Sequence, residues 1–249
     1  MNFFLLCCID ALDSLAPISE NRDNEEIGAI MNDKPDNSAR PRKERILDAA
    51  EELIAHHGYD GVTLRQIANK ADVDGALPSY HFGKKHDLFE AVFVRRAEVL
   101  NDLRLSALEA CEEAAGPDGP TVEAIIEAFL RPMELPHEED DEGWRNYLAL
   151  VAYVNNSPVW ARELMTRHFN PLIKRYIEAL KRALPGAPEE NIYWAYHYLS
   201  GSLTLTMART GRLDILSHGL CSSEDFKTAY GRMIPFIAAG FRQICEPGK

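Results

Sequence analysis

Residues 42–88 read RKERILDAAEELIAHHGYDGVTLRQIANKADVDGALPSYHFGKKHDL, and this stretch decides the fold. Ile46, Leu47, Ala50, Leu53 and Ile54 recur at three- and four-residue spacing, which places them on one apolar stripe of a helix. Gly58 stands where such a helix ends in a residue of positive φ. Thr63, with Gln66 three residues on, fits a capping box, and Leu64, Ile67 and Ala68 give a second helix its buried face. Lys70-Ala71-Asp72 makes the turn that follows. Val73 is an isolated apolar plug within it, and Ala68 is small enough for two helices to cross closely. A third helix is expected from Asp74, as its cap, through Phe82. Pro78 then falls in its first turns, where it deletes a backbone donor and presses on the carbonyl four residues earlier. Two short helices joined by a three- to four-residue turn form a helix-turn-helix, whose second helix fits the roughly 12 Å major groove of DNA.

The run TLRQIANKADVDGALPSYHFGKKHDLF, residues 63–89, closely resembles the N-terminal DNA-binding domain of TetR-family transcriptional repressors. The marks are Gly58-Tyr59 ahead of Thr63, the spacing from Ala68 to Val73, and Tyr80-His81-Phe82-Gly83-Lys84-Lys85. The resemblance is specific over roughly residues 42–95 and is one of architecture beyond them. Two departures stand out: Asp72 occupies a turn position that usually holds Gly, and Pro78 interrupts the start of the recognition helix. Asp tolerates the left-handed region better than most residues, so the turn survives. Residue by residue, the resemblance implies base-facing roles for Arg65, Gly75, Leu77, Ser79 and Tyr80. It implies phosphate contacts for Thr63, His81 and Lys85. It also implies a homodimer on palindromic double-stranded operator DNA, and a C-terminal body that takes a small-molecule effector. The basic arm at Arg40, Arg42, Lys43 and Arg45 would meet phosphates or the minor groove.

The net charge of −12 over 249 residues argues against a nucleic-acid partner when taken as one number. By segment it does not, because residues 40–85 are close to neutral and the remainder carries almost all of the excess acid. The five cysteines, Cys7, Cys8, Cys111, Cys221 and Cys245, are odd in number and lack CxxC spacing, which fits reduced thiols of a cytoplasmic protein. MNFFLLCCIDALDSL at the start is apolar but has neither the basic region nor the cleavage site of a signal peptide. It is also shorter than the roughly 20 residues a membrane span needs. Met31 opens a polar arm leading into the first helix. The expectation is a start at Met31 or, as the alternative, a disordered or loosely docked extension over 1–39, then a DNA-binding domain over 40–88 and an effector-binding and dimerisation domain over 89–245.

No run alternates apolar and polar residues, so the chain is expected to be all-α. A long helix from near His86 to Gly116-Pro117 leads out of the head, followed by a capped helix from Thr121 through Met133. The loop after it holds His137 and five consecutive acids, 138–142, which read as a solvated loop rather than a metal site. Residues 143–155 form an aromatic-rich helix. Ser157-Pro158 opens another, to about 184, with Pro171 in mid-run as a kink. The kink and nearby aromatics suggest an apolar effector pocket near Phe129, Trp144, Leu148, Phe169, Ile173 and Tyr198. Residues 189–210 are apolar nearly all round, and Ser200-Gly201-Ser202 there matches Ala238-Ala239-Gly240 in a last helix over about 223–244. These two helices are expected to pair across a homodimer as a four-helix bundle. No P-loop, GxGxxG, HExxH or GxSxG motif occurs, and His56-His57 lack a third ligand at sensible spacing, so no enzyme, cofactor or metal is expected. The reading is a cytoplasmic, ligand-responsive repressor. Its alternative is an architectural or protein-interacting helical dimer without specific DNA readout.

Overall fold

A computed structural model of the chain describes residues 40–134 and 142–246. Among these the chain is all-α, and no helix is long and apolar enough to cross a membrane. The expected extension over 1–39 and the acidic loop with its His137 fall mostly outside the described residues.

Helix α1 (Arg42–His57) buries Ile46, Leu47, Ala50 and Ile54 and stops at Gly58, whose φ is +71°. Helix α2 (Leu64–Lys70) starts on the capping box that the sequence announces. Helix α3 runs over Leu77–Phe82 with Ala76 as its cap, two residues later than the cap at Asp74 expected from the sequence. Asp74 instead accepts a hydrogen bond from the Ala76 amide at 2.9 Å in a turn of its own. The later start removes the difficulty with Pro78. Within the first helical turn its missing N–H has no intrahelical acceptor to lose, and the ring is buried.

Helix α4 (Lys85–Ala115) carries the chain from the head into the body. Thr121 caps α5 (Val122–Leu130), and a 3-10 turn, Arg131–Met133, extends it. Helix α6 (Glu142–Asn156) packs on α1, α4 and the penultimate long helix. The single kinked helix expected over 159–184 is two helices. α7 begins with Ser157 as cap and consists of Pro158–Trp160, a π-helical turn Ala161–Met165, and Thr166–His168. The path breaks at Phe169, and α8 (Asn170–Ala183) restarts with Pro171 in its first turn, so Pro171 begins a helix rather than bending one.

Helix α9 (Glu189–Met207) and helix α11 (Phe226–Ile244) pack together, with a short α10 (Arg212–Leu216) between them that sequence periodicity did not show. Pro235 lies inside α11. The two small-residue patches divide: Ala238 is fully buried within the chain, while Gly201, Ala239 and Gly240 face outward. The apolar core runs without interruption from Ile46 in α1 to Cys245 after α11.

Candidate nucleic-acid interface and body cavity

The helix-turn-helix is held by local bonds that fix its backbone before any ligand arrives. The Thr63 hydroxyl accepts from the Gln66 amide at 3.2 Å, and Gln66 Oε1 accepts from the Thr63 amide at 2.8 Å. The Thr63 hydroxyl also donates to Gln66 Oε1 at 2.8 Å, so both donors expected to meet phosphate are already engaged in the cap. In the turn, Asp72 takes φ +51°, the left-handed conformation for which Gly is the usual choice. The buried Arg45 donates to its carbonyl, which ties the turn to α1.

This frame exposes Arg65, Gly75, Ser79, Tyr80 and His81. Tyr80 is 79% exposed, and its ring meets His81 edge-on with centroids 5.2 Å apart. An exposed aromatic side chain in the middle of a polar helix face has no packing reason to be there. Leu77 behaves differently: it is half-buried against the core and so plugs the head more than it faces outward. Lys85 also turns inward. Its ammonium donates to the Tyr59 carbonyl and lies 4.1 Å over the Tyr59 ring. Lys84, next to it, is exposed, and Lys43 sits 5.6 Å from the Phe82 ring.

Deep in the body, Arg104 of α4 is 3% exposed. Its Nε donates to the Phe129 carbonyl at 3.0 Å, and its Nη2 reaches the Met133 sulfur at 3.0 Å. The guanidinium lies 4.0 Å from the Phe129 ring centroid. Burial lowers its proton affinity, which the electrostatics of Tyr176, Tyr196, Tyr147 and Tyr230 partly restore. It nevertheless stays charged, because an arginine starts far above any working pH. Beside it is a cavity of about 30 Å³. Of the six residues expected to hold an effector, Phe129, Phe169 and Ile173 line this cavity. The other three are elsewhere. Leu148 is buried in the core of α6, Trp144 stacks under the Arg96 guanidinium at 4.9 Å, and Tyr198 is 56% exposed on the outer face of α9.

A family profile described as "Bacterial regulatory proteins, tetR family" matches residues 46–92, and one described as "Tetracyclin repressor-like, C-terminal domain" matches 127–240. The chain belongs to the TetR family. Its relatives include the HTH-type transcriptional regulator BetI of Agrobacterium fabrum, 38% identical over 76 residues, which are 30% of this chain and 35% of that protein. The HTH-type transcriptional repressor AcnR of Corynebacterium glutamicum is 35% identical over 74 residues, 28% of this chain and 37% of its own. The matched part thus spans little more than a third of these relatives. A TetR-like transcriptional regulator from Rhodococcus sp. RHA1 superposes with a TM-score of 0.54 at 16% identity, over 84% of this chain and 97% of that one. At that identity the likeness shows the fold.

In this TetR-family chain the head is fastened to the body through Glu51 of α1, which is 2% exposed. Glu51 accepts from Arg96 Nε at 2.9 Å and from Arg95 Nη2 at 2.8 Å, while Arg95 Nη1 also meets Asp48 at 2.7 Å. Burial pushes the Glu51 carboxyl above its usual range against the pull of Arg96 and Arg95. Neither this network nor Arg104 was among the residues singled out in the sequence. The signal for Arg104 was present: it stands four residues from both Leu100 and Leu108, on the buried stripe of α4, while Val99 and Leu103 point outward.

Proposed function

We propose that this TetR-family chain is a cytoplasmic, sequence-specific transcriptional repressor, with residues 40–88 as the reading head and 89–245 as the sensing and dimerising body. The observation that carries the reading is the outward array Arg65, Ser79, Tyr80 and His81 on a helix-turn-helix whose backbone is fixed by its own cap and turn. Two heads in a dimer would enter successive major grooves of a palindromic operator, about 34 Å apart or a multiple of it. Arg65 is suited to a bidentate contact with guanine, worth about 1–3 kcal/mol of base discrimination. Tyr80 and His81 are placed to position the head on sugar and phosphate.

The dimer would form through α9 and α11. Support comes from an apolar outer face that no described residue covers: Trp194 and Tyr198, stacked with each other, then Leu205 (67% exposed) on α9 and Phe236 (72%) on α11. A contiguous patch of this kind marks an interaction surface. Gly201 and Gly240 lie on the same helices, and a Cβ at either would meet no atom of the described residues within 4 Å. An effector in the body would act on α4, the helix that begins in the head at Lys85 and reaches the cavity at Leu100 and Arg104. A displacement of α4 changes the separation of the two heads and weakens their joint grip on DNA.

Fluorescence anisotropy against DNA flanking the protein's own gene, with scrambled DNA of equal length, tests the reading. Native DNA should bind orders of magnitude more tightly than scrambled DNA, and Arg65→Ala should remove most of the difference. Equal binding to a genome-wide pool and to scrambled DNA would defeat it.

A further inference from the structure

We propose that the body cavity binds an organic anion, a monocarboxylate with an apolar tail, whose acid group pairs with Arg104. The proposal deepens the repressor reading by naming its effector class, and it depends on that reading only for the word effector.

Arg104 is a full positive charge withdrawn from water, and such charges are normally paired. Here one bond goes to a neutral carbonyl and another to a thioether sulfur, a weak acceptor. Among the described residues no carboxylate pairs with it and no acceptor bonds its Nη1. Glu134, one residue beyond Met133, meets Arg131 at 3.2 Å through Oε2, and its buried Oε1 has no hydrogen-bond partner. The Phe129 ring gives the cation a partial substitute.

The surroundings are rich in donors as well. Tyr196, Ser200 and Thr204 bring hydroxyls into the cavity lining. Outside that lining, the hydroxyls of Tyr147 and Tyr230 are buried without a hydrogen-bond partner and act electrostatically on Arg104. Burial holds both protonated, so they are neutral donors. A buried cation, spare donors and no bonded anion call for a ligand that brings acceptors and negative charge.

The rest of the lining sets the tail. Leu100, Val151, Phe169, Ile173 and Leu203 are apolar and three methionines, Met133, Met165 and Met207, stand with them, while Asn155, Tyr196, Ser200 and Thr204 add polar groups to the wall. Unbranched thioether side chains re-pack readily around a guest. A cavity of about 30 Å³ holds about two waters, room for a carboxyl head but not for a tail. The free guanidinium edge matches a carboxylate in two parallel bonds. The tail would then enter by displacing the methionines.

The test is calorimetric titration of the full chain with propionate and hexanoate, each against its amide at matched ionic strength. Each acid should bind roughly tenfold or more tightly than its amide, as a charge-assisted pair requires. Arg104→Met should erase that preference, and Arg104→Lys should retain part of it. If Arg104→Met does not fold, the comparison of acid with amide on the native chain decides alone. Equal binding of acid and amide, or no binding of either at millimolar concentration, overturns the proposal. Anisotropy on operator DNA in the same samples separates the two readings. Intact DNA discrimination without acid binding overturns the anion site alone. Acid binding without DNA discrimination supports the anion site and overturns the repressor.

Discussion

Replacing Glu51 by Ala should loosen the head from the body, and the structure sets the size of the effect. The Glu51 side chain is 3% exposed and bonds Arg96 at 2.9 Å and Arg95 at 2.8 Å. Removing one partner of a buried ion pair costs about 3–5 kcal/mol, because the other charge is left without compensation. Here the loss is moderated. Arg95 keeps Asp48 at 2.7 Å, Arg96 keeps the Trp144 ring at 4.9 Å, and the two side chains retain 21% and 16% exposure. The expected cost of Glu51→Ala is therefore about 2–3 kcal/mol. Glu51→Gln should behave differently. Burial holds the Glu51 pKa above the ordinary 4.5, so the folded chain favours the uncharged form relative to the unfolded one. That contribution is fully present below 4.5 and is lost as pH rises through the raised value. Gln also removes the charge but keeps the shape and an acceptor oxygen for the arginines, so at pH 7 it should cost less than Ala, and the native chain should gain on it as pH falls. Urea unfolding at pH 7 and pH 5, with unchanged m, measures both variants. A cost under about 0.5 kcal/mol for Glu51→Ala would reduce the network to an ordinary surface pair. Equal costs for the Ala and Gln variants would show that charge, not shape and burial, carries it.

Thr63→Ala removes the capping box and should cost about 1 kcal/mol, with a lower melting temperature and weaker operator binding at every salt concentration. The two adjacent lysines should separate cleanly. Lys84→Ala should lower the slope of log affinity against log salt by about 1. Lys85→Ala, which breaks the contact to Tyr59, should lower the melting temperature and leave the slope alone. A flattened slope for Lys85→Ala at unchanged melting temperature would contradict its inward placement. Leu205→Glu puts a charge in the exposed apolar face of α9 and should shift the chain from dimer to monomer in sedimentation velocity. An unchanged sedimentation coefficient would remove that face from the interface.

The helix-turn-helix was legible in the sequence because its determinants act over a few residues. The Thr63–Gln66 cap, the end at Gly58, the left-handed Asp72 and the apolar stripe of α1 are each fixed by neighbours in the chain. The same holds for Ser157 at the start of α7 and for Gly116 after α4. The start of α3 was placed two residues early and Pro171 was read as a kink, since a proline reads alike as a kink or as a first-turn residue until the preceding break is seen. What a side chain faces was decided only in three dimensions. The clustering of aromatics around Pro171 put Tyr198 among pocket candidates, but packing of α9 on α6 and α11 turned it outward. Lys85 belongs to a basic run, yet Tyr59, 26 residues earlier, takes its charge. Arg104 lies on an apolar stripe, and whether such an arginine reaches water or is enclosed depends on α5 and the turn that bears Met133. Backbone conformation follows from local chemistry. The burial of a charge, and with it the chemistry of the cavity, follows from residues distant in sequence, because enclosure needs several elements at once.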